Sequence, residues 1–278
     1  MGGDLTVANH GKVVVNGYAP TLYVSGGFGY AVLDGDGDIA GMKNYGIVEM
    51  PAPGETTEFP TTIYMGGLFG EASLSAGFST AENSSKPRRS INECTNYGEI
   101  RYHGLVTDGA YIGGIAGKAT AAPIYNCTNE GKIISTGNAG DLANRLSESG
   151  DKNRMAYQLY DHDLAIGGIV GETNHDVIGS TNKAAIDHTC VDNPLKFDDY
   201  GTTATSRFDI GGLVGRVYVP DTYTGVTYAV NLNSLTKEQG GTVKINGFPY
   251  CTTNTSSLDW GTATTLQSND IDDPDRTS

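Results

Sequence analysis

Cys94-Thr95-Asn96-Tyr97-Gly98-Glu99-Ile100 and Cys127-Thr128-Asn129-Glu130-Gly131-Lys132-Ile133 are one phrase written twice. Three further versions begin at Val7, Met42 and Ser180. Read by column, the first position is Val7, Met42, Cys94, Cys127 and Ser180, never charged, and the last is Val13, Val48, Ile100, Ile133 and Ile186, always β-branched. Both columns are expected to face inward from strands. Asparagine never varies in the third position (Asn9, Asn44, Asn96, Asn129, Asn182), and glycine follows two residues later in four of the five copies. Asn and Gly tolerate positive φ, so this pair predicts a sharp corner. Between them stand His10, Tyr45, Tyr97, Glu130 and Lys183, the scatter of an exposed tip. Each unit therefore reads as strand, corner, strand.

A second phrase interleaves with the first. It runs Gly66-Gly67-Leu68-Phe69-Gly70, Gly113-Gly114-Ile115-Ala116-Gly117, Gly167-Gly168-Ile169-Val170-Gly171 and Gly211-Gly212-Leu213-Val214-Gly215, with a worn copy from Gly26. The starts are 40 to 54 residues apart. A unit this short cannot bury its own apolar side chains, and matching columns imply that successive units stack in register. The expected fold is all-β, a right-handed parallel β-solenoid of about five coils about 4.8 Å apart, with handedness taken from the parallel-crossover rule. Differences in step belong to loops at corners, since an insertion inside a strand would break register. Residues 51–62 and 76–90 read as such loops, and the long insertion from Gly137 to Asp163 as a loop with a short helix. Coils are expected near 5–48, 63–100, 110–133, 164–186 and 208–245, within a repeat domain over 1–250. Residues 251–278 form a polar tail, partly disordered. The chain opens in mid-unit, as if cut from a longer protein.

Composition limits the function. With 18 Lys plus Arg against 32 Asp plus Glu, the 278-residue chain carries a net charge of −14, which repels nucleic acid. Hydrophobic residues at 38% exclude a disordered chain, and no run approaches the length of a membrane span. No signal peptide opens it.

The repeated Gly-Gly-x-x-Gly phrase, followed by Asn-x-Gly-x-[Ile/Val], resembles the GLUG motif, a glycine-rich repeat of bacterial surface proteins and of the non-catalytic repeats of immunoglobulin A1 metallopeptidases. The resemblance spans residues 5 to 219 and implies an exported, surface-attached bacterial protein, an adhesin without chemistry of its own. The metallopeptidase's zinc motif is absent, because the five His precede Gly11, Gly104, Asp163, Asp176 and Thr189 and no His-Glu-x-x-His occurs.

Other constellations are weighed against their plainer readings. The glycine phrases lack the order of a phosphate loop and are read as coil geometry. Asp34, Asp36 and Asp38 alternate as carboxylates do in a calcium loop, but Ile39 and Tyr45 stand where such a loop needs Gly and Glu, so calcium competes with an acidic turn. No other cofactor is expected. Catalytic carboxylates would have to come from Asp161-His162-Asp163, His175-Asp176, Asp187-His188 or Asp198-Asp199, none of which share a column. Cys94 and Cys127 share a column in neighbouring coils, close enough for a disulfide or for two buried thiols, and Cys190 and Cys251 remain over. Tyr45 and Tyr97 fall in one exposed column and are the first candidates for stacking a sugar ring, or are plain ladder partners. The expected role is a non-catalytic extracellular module that binds a host surface protein or glycan, alongside the remainder of a longer parent chain. A polysaccharide lyase or hydrolase, and a bare stalk, stand as alternatives.

Overall fold

Short runs of β-branched, aromatic and small residues between glycine corners make strands too short to hold a sheet alone. In the computed structural model they join by stacking. It describes residues 7–17, 19–33, 38–52, 60–74, 90–103, 106, 108–137, 163–190, 207–217, 241–245, 248–249 and 264–267. The chain winds as a right-handed parallel β-solenoid.

Each coil visits five faces in turn. An asparagine face holds Ala8–Asn9, Lys43–Asn44, Thr95–Asn96, Thr128–Asn129 and Thr181–Asn182. An aliphatic face follows with Val13–Val14, Val48–Met50, Ile100–Tyr102, Ile133–Gly137, Ala185–Cys190 and Thr242–Ile245. A tyrosine face holds Thr21–Ser25, Thr62–Gly66, Gly109–Gly113, Asp163–Gly167 and Arg207–Gly211. A charge face holds Phe28–Leu33, Phe69–Leu74, Ala116–Thr120, Val170–Thr173 and Val214–Val217. A short face holds Ile39–Ala40, Ile91–Asn92, Ile124–Tyr125 and Val177–Ile178. At the far end, two antiparallel strands replace the parallel pattern: Thr264–Gln267 beside Arg207–Gly211, and Phe248–Pro249 beside Thr242–Ile245.

Register follows the repeat columns. Asn9 pairs with Asn44, Asn44 with Asn96, Asn96 with Asn129 and Asn129 with Asn182. Val13, Val48, Ile100, Ile133, Ile186 and Val243 align the same way. The worn copy sits one residue earlier than its glycines suggest: Ser25 aligns with Gly66 and Phe28 with Phe69, so Ser25 stands where the phrase has its first glycine. Among the described residues, length differences between coils fall only between the aliphatic and tyrosine faces and between the charge and short faces. Most of the expected loops 51–62 and 76–90 and of the insertion from Gly137 to Asp163 lies outside the described residues, whereas Thr62, Gly137 and Asp163 belong to strands.

The asparagine corner corrects one expectation. Neither the asparagines nor Gly11, Gly46, Gly98 and Gly131 adopt positive φ; among the described residues that conformation belongs to Gly41, Glu93, Ala121, Asn126, Gly179 and Gly241. Gly41, Glu93, Asn126 and Gly179 all sit just after the short face, so the left-handed turn lies at a different corner. Gly98 is needed instead for close approach, because a Cβ there would run into the carbonyl of Gly46 in the coil below.

The interior is divided. Val48, Ile63, Met65, Ile100, Ile112, Ile133 and Ile166 form one core between the aliphatic and tyrosine faces. Leu68, Phe69, Ile91, Cys94, Ile115, Ile124 and Cys127 form a second against the charge and short faces. Between the two cores the asparagines meet the Gly-Gly corner from the opposite wall: a Cβ on Gly67 would overlap Asn96, on Gly114 Asn129, and on Gly168 Asn182. The wall folds inward at that corner, and the outside of the fold is a cleft.

Candidate binding site

From Asn44 to Asn182 the asparagine column is a buried ladder, with Asn9 nearer the surface at its first coil. Asn9 Nδ2 donates to Asn44 Oδ1 at 2.8 Å, Asn44 to Asn96 at 2.8 Å, Asn96 to Asn129 at 2.8 Å and Asn129 to Asn182 at 2.9 Å. Each amide also closes its own corner, as when Asn96 Nδ2 donates to the Gly98 carbonyl at 2.9 Å. The amide thus gives the chain its bend with an ordinary backbone. With its hydrogen bonds spent inside the wall, the column presents nothing to a ligand.

Tyr45 and Tyr97 do come together on the surface, 4.8 Å apart and 4° from parallel. His10 stacks on the other side of Tyr45 at 4.7 Å and 3°. Both faces of Tyr45 are covered by rings of its own column, leaving its edge outward. The column continues as an ion pair, Lys183 Nζ to Glu130 at 3.0 Å.

Of the remaining expected sites, several residues lie outside the described residues and the others sit on separate walls. Asp34 and Asp36 lie outside the described residues, while Asp38 accepts a hydrogen bond from Ser90 Oγ at 2.9 Å. Among the described residues no group of three His, Cys, Asp or Glu is placed to hold a metal. Asp161, His162, Asp198 and Asp199 lie outside the described residues, as does the side chain of Asp163. His175 Nδ1 accepts from the Asp176 amide at 2.8 Å beside the short face, and burial lowers its pKa. Asp187 pairs with Lys132 at 2.5 Å and His188 with Ser135 at 3.2 Å on the aliphatic face, a separate wall. Cys94 and Cys127 are buried free thiols, each directed at backbone carbonyls of its own turn, Asn92 and Tyr125 at 3.3 Å. The neighbouring Cys127 thiol lowers the pKa of Cys94, while burial raises that of Cys127. The side chain of Cys190 and all of Cys251 fall outside the described residues.

What the structure gathers instead is the cleft between the tyrosine and charge faces. The third glycine of each phrase makes it possible: a Cβ on Gly117 would meet the backbone of Met65 and Tyr111 on the facing wall, as well as that of Gly70 on the neighbouring strand of its own face. Beyond that narrow base the side chains open into a mouth. Tyr23, Tyr64 and Tyr111 line one side, stacked at 5.2 Å between successive rings. The other side is a column of Tyr30, Glu71, Lys118, Glu172 and Arg216 in register.

The charges alternate from coil to coil. Lys118 Nζ pairs with Glu172 at 2.9 Å and lies 5.5 Å from the ring centres of both Tyr64 and Tyr111. Arg216 reaches Glu172 at 3.6 Å, forms a close ion pair with Asp209 and faces the Tyr111 ring at 5.8 Å. Burial raises the pKa of Glu71, with Lys118 pulling the other way. Burial alone would lower the pKa of Lys118, but Glu172, Tyr64 and Glu71 outweigh it and hold it above the ordinary lysine range. Burial also raises the pKa of Tyr64. The cleft is graded along its length: Tyr30 is 51% exposed at the first coil, whereas Glu172, Arg216 and Asp209 are buried further along.

These cleft residues were readable in sequence. Each third glycine is followed directly by Tyr30, Glu71, Lys118, Glu172 or Arg216. Because the column changes chemistry at every copy, it does not announce itself as a column.

Residues 108–134 match the family described as the GLUG motif. The match begins beside the tyrosine-face strand Gly109–Gly113 and ends just past Ile133, and so takes in nearly one coil, from Gly-Gly corner to asparagine corner. No curated protein and no solved structure matches the chain. No helix among the described residues is long and apolar enough to cross a membrane.

Proposed function

We propose that this stack of GLUG-motif coils is a non-catalytic extracellular module of a bacterial surface protein, an adhesin that meets a host surface protein or glycan through its loops or a solenoid face. One observation supports the reading above the others. Among the described residues, successive coils keep their columns in register while length variation is expelled to two of the five corners. That is the construction of a scaffold that holds variable segments at fixed positions. The acidic surface suits a soluble display module, and a parent chain would supply anchorage. Calcium at Asp34, Asp36 and Asp38 would be an accessory, visible as a rise in melting temperature on adding the ion.

The test is adherence of the purified chain to host cells and to immobilised host surface glycoproteins. Saturable binding that weakens when residues 138–162 are replaced by a short Gly-Ser linker supports loop-mediated adhesion. A folded chain that binds nothing would be a stalk spacer.

The lyase or hydrolase reading draws on the charges gathered in the cleft, since such enzymes need two carboxylates, or a carboxylate and a base, in reach of one glycosidic bond. Glu172 is 3% exposed and held by Lys118 and Arg216, which leaves Glu71 as the approachable acid of that column. Binding is therefore preferred over cleavage, and release of reducing ends from a polysaccharide would reverse that preference.

A further inference from the structure

We infer that the open half of the cleft, between Tyr23, Tyr30 and Tyr64 and the polar groups of Glu71 and Thr120, is a groove for a neutral oligosaccharide lying along the stack axis. The inference rests on the surface-module reading and assigns it a site and a ligand class.

The repeat geometry does not explain these residues. The coil closes equally well with Ala165 and Asp209 in the tyrosine column, so tyrosine is not required there. Nor does stability require the charges, because desolvating an ion pair costs about as much as the pair returns, and apolar side chains would fill the wall as well. A graded strip of aromatic rings and one half-buried carboxylate, open at one end, is instead the composition of a binding groove.

The chemistry of the strip selects among ligands. Tyr30 tilts 58° from Tyr23 at 5.3 Å, so its ring does not lie flat on its neighbour as the rings of Tyr45 and Tyr97 do. It offers an apolar surface for the C–H face of a sugar, and its hydroxyl is already positioned by Ser73 Oγ at 3.2 Å. Glu71 accepts from Thr120 Oγ1 at 3.3 Å and stands beside the open mouth, suited to take hydroxyl donors from a polyol. Glu172 holds Lys118, and the column with Asp209 has three carboxylates against two cations, so an acidic sugar meets net repulsion. A cationic ligand would have to approach Lys118, which already faces the rings of Tyr64 and Tyr111. A neutral chain of hydroxyls meets neither obstacle.

The test is calorimetric titration of the full chain with neutral oligosaccharides built from glucose, galactose, mannose or N-acetylglucosamine, with alginate and hyaluronate fragments for comparison. At least one neutral probe should bind. Tyr30→Ala and Glu71→Gln should each weaken it by about tenfold, roughly the loss of one aromatic or charge-assisted contact, while Tyr45→Ala leaves it unchanged. Tyr30 is an exposed position, so Tyr30→Ala should keep the wild-type melting temperature and report on binding alone. Preference for the acidic fragments, binding that ignores both cleft variants, or no binding by the wild-type chain to any neutral probe would overturn the inference. Adherence to host cells separates the two ideas: adherence without sugar binding removes the groove and keeps the adhesin, and sugar binding without adherence does the reverse.

Discussion

The wall at the Gly-Gly corner has two sides that obey different rules. Its inner side meets the asparagine ladder, where Asn44, Asn96, Asn129 and Asn182 are buried and the same residue recurs in every coil. Its outer side is the cleft, where the corresponding columns run Tyr23, Tyr64, Tyr111, Ala165, Asp209 and Tyr30, Glu71, Lys118, Glu172, Arg216. Backbone from two coils and two walls converges on the inner side, so one side-chain shape fits. The outer side faces its own opening, and the coil tolerates any residue there that finds a partner. Identity is held where backbone touches backbone; variation collects where only side chains meet.

Breaking the inner side should cost most. Gly98→Ala drives a Cβ into the Gly46 carbonyl, an atom that cannot move without shifting a neighbouring coil, and is expected to lose about 3–5 kcal/mol in denaturant unfolding. Asn96→Ala should cost about 2–4 kcal/mol, because it removes the acceptor for Asn44 and the donor to Asn129 and Gly98 from a buried site. The same change at Asn9, on the exposed first coil, should cost less than about 1 kcal/mol, which isolates the contribution of being sandwiched. A loss at Asn9 equal to that at Asn96 would mean that the stack does not confer the difference.

The outer side should respond to pH instead. Burial raises the folded pKa of Glu71 above its unfolded value, so its ionised form is disfavoured in the fold. The resulting stability is present below the ordinary carboxylate range and lost as pH rises through the raised folded value. Glu71→Gln should therefore melt above wild type at neutral pH and converge with it on acidification, as measured by thermal unfolding across pH. A constant offset at every pH would refute this assignment.

The smallest effect sharpens the comparison at a third corner. Glu93 has φ 54° in a column whose other members include Gly41 and Gly179, also at positive φ. Glu93→Gly should stabilise by about 0.5–1 kcal/mol, relieving a conformation that side chains disfavour. If it destabilises, Glu93 has a tertiary contact that outweighs its backbone.

Much of the architecture was legible, and the reasons are local. The Val13–Ile186 column and the Asn9–Asn182 column recur with one chemistry, so stacking could be read from them without coordinates. The cleft is hidden in the sequence, since Glu71, Lys118, Glu172 and Arg216 look unrelated when taken singly. The sequence points to Asn-x-Gly for the left-handed corner for a similar reason: Glu93 and Asn126 give no sign that their column needs positive φ. The pairing of Tyr45 with Tyr97 followed from the repeat, but the loss of both Tyr45 faces to His10 and Tyr97 depends on the strand spacing.

The amino-acid sequence alone decided that this chain stacks and which of its recurring residues share a column, because those follow from which residue types repeat. Tertiary structure decided where each column points: that the asparagines turn inward to split the core, and that a fold in the wall brings tyrosines against alternating charges. Recurrence records neighbours along the stack axis. Contacts across a coil are set by how sharply the backbone bends, and that bend emerges only when glycines from facing strands are pressed together.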